Sequence, residues 1–132
     1  AGVVRPRSLE LSGRVADGTL IAEGHGPRDL VHIRALLAKG GAGDGHTLNV
    51  FAFACVGDDP EEVARTLHPH TEGHGAWLGR PQEEVFTVSG DAAGAAARID
   101  ALRESGADTV VLRFVGAEPL RQMEAVLEAA RR

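Results

Sequence analysis

The sequence predicts an α/β fold assembled from parallel strand–helix units, and three observations predict it. Apolar segments of strand length alternate with segments of helical period along the chain. The segment Thr47–Val56 is apolar on both faces apart from Thr47 and Asn49, as in a parallel strand covered by helices. The junctions carry Asp, Pro and Gly where helices start and stop. Such units join through right-handed crossovers. A doubly wound sheet and half of a closed barrel share this pattern, and periodicity leaves both open.

Each element has its own signal. Pro6 suits a first helical position, where the missing N–H costs nothing. Leu9, Gly13 and Ala16 then fall on one helical face, and Asp17-Gly18 reads as the stop. Residues 19–22 are short and apolar, which suits a buried strand. Residues 27–39 place Leu30, Ile33 and Leu37 on one face, and Gly40-Gly41 ends that helix. After the strand Thr47–Val56, Asp58-Asp59-Pro60-Glu61-Glu62 is a helix start with a capping aspartate and acids at the positive dipole end. Val63, Ala64 and Leu67 form its buried face, and Pro69 ends or kinks it.

Residues 70–89 are broken by Gly73, Gly75, Gly79 and Pro81 and read as irregular, with Trp77 and Leu78 plugging the segment onto the body. Asp91 caps a helix with the stripe Ala95, Ile99 and Leu102, stopped at Gly106. Residues 109–115 form a strand. Glu118-Pro119 opens the last helix, whose expected core stripe is Leu120, Met123, Leu127 and Ala130.

Composition narrows the function. The chain has 132 residues, enough for one domain with a real core, and a formal net charge of −5. It has no basic stripe, which argues against nucleic acid as a partner. The longest apolar run, residues 50–56, is too short to span a bilayer. No signal-peptide pattern opens the chain, so a cytoplasmic location is expected. The single cysteine, Cys55, lies in the apolar run and is expected to be a small core residue. With four Phe, one Trp and no Tyr, an aromatic binding cage is not expected.

The ordered set of motifs resembles the bacterial luciferase-like monooxygenase family, which includes flavin-dependent monooxygenases and deazaflavin-dependent dehydrogenases and reductases. Arg5-Pro6-Arg7-Ser8 through Ala16-Asp17-Gly18 is similar to that family's segment after the fifth barrel strand. The likeness continues through residues 49–56 with Gly57-Asp58-Asp59-Pro60, then Leu78-Gly79-Arg80-Pro81, and last Gly106-Ala107-Asp108-Thr109 into Arg113. The resemblance implies half of a (β/α)8 TIM barrel, with about three to four parallel strands alternating with about five helices. A complete barrel takes about 250 residues. The expectation is therefore that residues 1–132 form a single domain, a fragment equivalent to the C-terminal half. A chain beginning at Ala1 rather than methionine fits that expectation.

Two constellations are candidate sites. Arg5, Arg7 and Ser8 crowd a helix start, where free N–H groups attract anions. From the residues alone, a phosphate cradle and a solvated helix start both stand. The resemblance implies that Val4, Arg5, Pro6, Arg7 and Ser8 help hold a flavin or deazaflavin phosphate. Relatives often carry a glycine-rich version, so Arg-Pro-Arg shifts weight from backbone to side chains. The second constellation is Glu23 with Arg113. Arg113 interrupts an apolar strand, on a face with Val111 and Val115, and Glu23 shares a face with Ile21. The resemblance makes these the sixth and eighth strands, alternate members whose side chains fill one layer. Either the two meet at the barrel mouth or they stand apart on the rim.

His68, His70 and His74 cluster, with His25 elsewhere. The spacing does not fit a four-ligand structural site, and no metal is expected. No nucleophile–base pair is recognisable, so no catalytic residue is assigned. The resemblance implies FMN or an 8-hydroxy-5-deazaflavin coenzyme, a small-molecule substrate, and an oxidoreductase as the parent enzyme. The isolated chain is expected to be inactive. Its expected partner is itself, as a dimer or higher oligomer, or the missing N-terminal half. The rival reading is a noncatalytic α/β module that self-associates, because a half barrel exposes sheet edges and an apolar face.

Overall fold

A computed structural model of the chain describes Gly2 and residues 5–132. The elements run α1 (Pro6–Val15), β1 (Gly18–Ile21), α2 (Pro27–Gly40), β2 (Thr47–Val56), α3 (Pro60–Leu78), β3 (Val88–Gly90), α4 (Ala92–Glu104), β4 (Thr109–Phe114) and α5 (Pro119–Ala130). All strand pairings in the sheet are parallel.

β2 is the axis of the sheet. Val50 pairs with Ile21 and with Val110, so β1 and β4 lie on opposite edges of β2. Ala54 pairs with Val88 and with Phe114, so β3 shares the β1 edge, further along. Gly2 bridges Leu20 in parallel on the outer side of β1. The sheet therefore holds four strand positions in the order Gly2, β1, β2, β4.

The helices decide between the two architectures. Leu9 of α1, Leu30, Ile33 and Leu37 of α2, Ala95 and Leu102 of α4 and Val126 of α5 form one core with Ile21, Leu48, Val50, Ala52 and Ala54. Four helices thus cover one face. On the other, among the described residues, only α3 packs, through Val63 and Leu67 against Phe53, Cys55 and Val115. The rest of that face is open, with Leu20 and Val111 exposed. Helices concentrated on one face make a half barrel rather than a doubly wound sheet. Among the described residues, no helix is long and apolar enough to cross a membrane.

Two local features bind the sheet to its helices. Helices α1 and α2 cross so closely that a Cβ on Gly13 would overlap the Leu37 carbonyl, and one on Gly40 the Glu10 carbonyl. Beneath α1, Ser12 and Thr19 hydroxyls lie 2.7 Å apart, and Thr19 Oγ1 lies 2.7 Å from His46 Nε2. His46 Nδ1 faces the Ala16 carbonyl at 3.0 Å. That carbonyl only accepts, so Nδ1 carries a proton and donates to it, and the Thr19 hydroxyl bridges Nε2 and the Ser12 hydroxyl. All three side chains are buried, and the chain of bonds satisfies each of them.

Several expectations are corrected. Helix α1 ends at Val15 with an extended Ala16 as its cap. Gly18 is the first residue of β1, and a Cβ there would overlap Thr47. β1 stops at Ile21, and β4 at Phe114. Helix α3 continues past Pro69 to Leu78. Asp59 accepts from the Glu61 and Glu62 N–H groups at its start, and a left-handed Gly79 closes it. Val63, Leu67, Thr71 and Gly75, spaced by four, bury one continuous face that carries the helix across the proline. Trp77 does not plug onto the body; it is largely exposed. In α5 the buried residues are Gln122 and Val126, whereas Leu120, Met123 and Leu127 are exposed. Gln122 is held inside by three bonds: its Oε1 accepts from the Val56 N–H, and its Nε2 donates to the Val115 and Ala117 carbonyls.

Candidate functional site

The ends of parallel strands gather side chains on one side of the sheet, and here they gather charge. β1 gives out at Ile21, and the chain turns through Gly24, whose φ of 100° is costly for a side-chain-bearing residue. The turn is held from three directions. His25 Nδ1 donates to the Ala22 carbonyl at 2.9 Å. The Gly24 carbonyl accepts from the Phe86 N–H at 3.1 Å and from Arg80 Nη1 at 3.3 Å. Arg80 also grips both oxygens of Asp29, at 3.0 and 3.2 Å, while Asp29 accepts from the Gly26 N–H at the start of α2. Arg80, from the Leu78-Gly79-Arg80-Pro81 motif, is thus a positioning residue for the turn that carries Glu23.

Glu23 stands between the Arg113 guanidinium and the His74 imidazole. Its Oε1 is 3.6 Å from Arg113 Nη1, and its Oε2 is 3.8 Å from His74 Nε2. The Glu23 side chain is only 13% exposed and His74 18%, whereas Arg113 is 64% exposed. Neither gap is a hydrogen bond, and His74 Nε2 is buried with no hydrogen-bond partner among the described residues. The His74 ring meets Phe53 edge-on at 5.3 Å and Trp77 at 5.2 Å. Phe53 also contacts the His70 ring at 5.5 Å, and the Arg113 guanidinium lies 5.6 Å from the Phe53 centroid. The result is a carboxylate flanked by an imidazole and a guanidinium over an aromatic floor. It presents a carboxylate, an imidazole and a guanidinium to anything entering the mouth.

Glu23 and Arg113 therefore meet, but not by strand parity. Ile21 belongs to the helix-covered face, whereas Arg113 pairs beside Phe53 on the open face. Glu23 reaches the open face because the strand ends before it and the turn redirects it. Sequence reasoning missed His74 and Phe53 as members of this group. The available signal was the four-residue spacing of His70 and His74, which puts both on one face of a helix.

The other expected site has a simpler geometry. Val4 lies outside the described residues. Arg5 is the N-cap of α1 without a side-chain cap bond, Pro6 opens the helix, and no acid occupies the first turn. Arg5, Pro6 and Arg7 are exposed and Ser8 is half-buried. Arg5 follows the strand position of Gly2 as Glu23 follows β1, so both stand at the C-terminal side of the sheet.

A cavity of about 340 Å³ also opens at that side, beyond β2 and β4. The starts of α3 and α5 and Ala92 of α4 line it, but so do Asp58, Asp59, Glu62 and Glu118. Those carboxylates oppose an anion there. Cys55 at its base has its thiol pushed up by burial first and by Glu62 second. Among the described residues no group of three His, Cys, Asp or Glu converges as a metal centre. His68 instead faces Glu72 across one helical turn at 3.6 Å.

No family model and no curated protein sequence matches the chain. Solved structures do match it. The coenzyme F420-dependent tetrahydromethanopterin reductase from Methanopyrus kandleri aligns over 95% of this chain and 47% of its own, with TM-score 0.74 and 16% identity. An F420-dependent secondary alcohol dehydrogenase, solved with an F420-acetone adduct, aligns over 99% and 48%, with TM-score 0.78 and 12% identity. The fold is half of a (β/α)8 barrel, the half that aligns with these two enzymes. EDTA monooxygenase from Chelativorans sp. BNC1 aligns over 98% of this chain and 43% of its own, with TM-score 0.64 and 14% identity. The chain thus spans less than half the length of each of these structures. At these identities the likeness establishes the fold, and these structural neighbours are oxidoreductases by name.

Proposed function

We propose that this chain is the C-terminal half of a luciferase-like oxidoreductase, contributing a cofactor-phosphate grip and part of the wall around the cofactor ring. The observation that carries the reading is the Glu23 cluster, a charged and aromatic group at the mouth of a half barrel shaped like half of two F420-dependent enzymes. The residues fit such a group. Arg5 and Arg7 with the N–H groups near Ser8 suit a phosphate, and the orphaned His74 Nε2 leaves a buried polar atom without a partner. Bound deazaflavin or flavin supplies hydride or oxygen chemistry, and the protein positions it. On this reading Val4, Arg5, Pro6, Arg7 and Ser8 serve the phosphate, while Glu23 and Arg113 face the ring and its substrate. The isolated chain lacks much of the substrate side and is not expected to turn over.

Equilibrium dialysis of the chain against FMN and a deazaflavin coenzyme tests this. Weak binding of one of them is expected, reduced at least tenfold in the Arg5→Ala/Arg7→Ala double variant. Failure of the folded chain to bind either cofactor, or inorganic phosphate, would remove the reading.

A further inference from the structure

We propose that Glu23 and His74 form a proton-handling dyad at the mouth of the half barrel, and that its substrate is an alcohol or the matching carbonyl compound. The proposal rests on the oxidoreductase reading above. It adds the substrate class and the residue that moves the proton.

The two nitrogens of the His74 ring stand in unlike surroundings. Nε2 is buried, lies 3.8 Å from Glu23 Oε2 and has no hydrogen-bond partner among the described residues. It is the only buried side-chain nitrogen or oxygen among them in that condition. Nδ1 has no hydrogen bond there either, yet it is not buried, so the 18% of the side chain that stays exposed includes it. Phe53 meets the ring edge-on and Trp77 lies 5.2 Å from it, which fixes the plane of the imidazole. Thr71 and Gly75, buried on the same helix, seat this turn of α3 on the body. All of these contacts lie within the chain.

The geometry sets a direction for the proton. A buried nitrogen and a buried carboxylate oxygen left apart cost more than the same two groups joined. Joining them takes a shift of about 1 Å from the present gap to a hydrogen bond. Contacts of this kind tighten as a site loads. A carboxylate only accepts, so the joined ring holds its proton on Nε2 and leaves the electron pair on Nδ1 free. Arg113, 3.6 Å from Oε1, attends the other oxygen of Glu23. Glu23 is then a positioning residue and His74 the catalytic one.

Hydride transfer at a carbon that bears oxygen needs such a nitrogen. When an alcohol is oxidised, hydride leaves its carbon for the ring of the deazaflavin or flavin. The O–H bond breaks and the C=O bond forms. One proton remains, and Nδ1 takes it from the hydroxyl oxygen. The charge gained by the imidazole faces Glu23. In carbonyl reduction Nδ1 returns the proton to the new alkoxide oxygen.

Nitrogen NMR of the chain isotopically labelled at histidine, at mildly alkaline pH, tests the dyad without any cofactor. The His74 signals are assigned by their loss in His74→Gln. The expected ring carries its proton on Nε2, exchanging with water at least tenfold more slowly than the ring proton of the exposed His70. Glu23→Leu, checked for folding by far-UV circular dichroism, should move that proton resonance upfield as its acceptor is lost. A proton on Nδ1, or an Nε2 proton indifferent to Glu23→Leu, would overturn the dyad. In the chain saturated with the cofactor it binds, isopropanol as the alcohol probe should shift His74 Nδ1 by more than it shifts the His70 ring. Equal shifts would overturn the substrate assignment. Absence of cofactor binding in the dialysis above, with the expected tautomer in place, would remove the oxidoreductase and its substrate together. The wrong tautomer in a chain that binds cofactor would remove the dyad alone.

Discussion

Arg113 Nη1 stands 3.6 Å from Glu23 Oε1 across the width of β2, although Ile21, two residues before Glu23, faces the opposite side of the sheet from Arg113. The pair exists because β1 ends early. A strand continued by two residues would direct Glu23 toward the helices, with Ala52 and Ala54.

That pair is lopsided, with a mostly solvated cation beside a mostly buried carboxylate, and this sets the size of its effect. Water screens Arg113, and His74 remains on the other oxygen of Glu23. Arg113→Met is expected to change stability by no more than about 0.5 kcal/mol, read from the midpoint of urea unfolding. A loss near 3 kcal/mol, the scale of a broken buried pair, would contradict a rim-exposed arginine.

Asp29 should sharpen the acid sensitivity of the fold. Burial alone would raise its pKa, but the hydrogen bonds from Arg80 and the Gly26 N–H outweigh burial, and the carboxyl titrates below its ordinary 3.8. The unfolded chain therefore takes up this proton first. The stabilisation is complete above the ordinary carboxylate range and lost as pH falls through the depressed folded value. Asp29→Asn should flatten the fall in melting temperature below about pH 4. Parallel acid limbs for the two proteins would contradict this assignment.

The Ser12–Thr19–His46 chain predicts a cost larger than its size. Thr19→Val keeps the shape but leaves a buried hydroxyl and a buried imidazole nitrogen without their shared partner. A loss of about 2 kcal/mol is expected from chemical denaturation, in the range for an unsatisfied buried polar group. Thr19→Ser, which keeps the hydroxyl, should recover most of it. Equal losses in both variants would assign the effect to packing rather than to the bonds.

How much of this was legible follows from where each residue's information lies. Thr47–Val56 was readable to the residue because both of its faces are apolar, which few other segments allow. The caps at Asp59 and Asp91 were readable because capping is local chemistry. Helix α3 beyond Pro69 was not, since the buried face at Leu67, Thr71 and Gly75 outweighs a proline penalty that acts locally. β3 is three residues long and owes its existence to the end of β2, which nothing within residues 70–89 announces.

The α5 stripe was recognised as apolar but assigned to the core. Period shows that a face is apolar and not whether these residues cover it. Meanwhile Gln122, polar by type, is inside because β2 and the segment after β4 use all its hydrogen-bonding groups. The charged site was legible as two residues and a spacing. Its geometry was not, because the turn at Gly24, rather than strand alternation, aims Glu23.

Trp77 sits in the last turn of α3, largely exposed, with its ring 5.2 Å from His74. It is the only tryptophan in the chain. Intrinsic emission from this protein is therefore already water-like in the native state, and denaturation changes it little. Emission reports on the mouth beside Glu23, so that the cofactor binding proposed there is expected to register as quenching, while the global transition must be followed in the far ultraviolet.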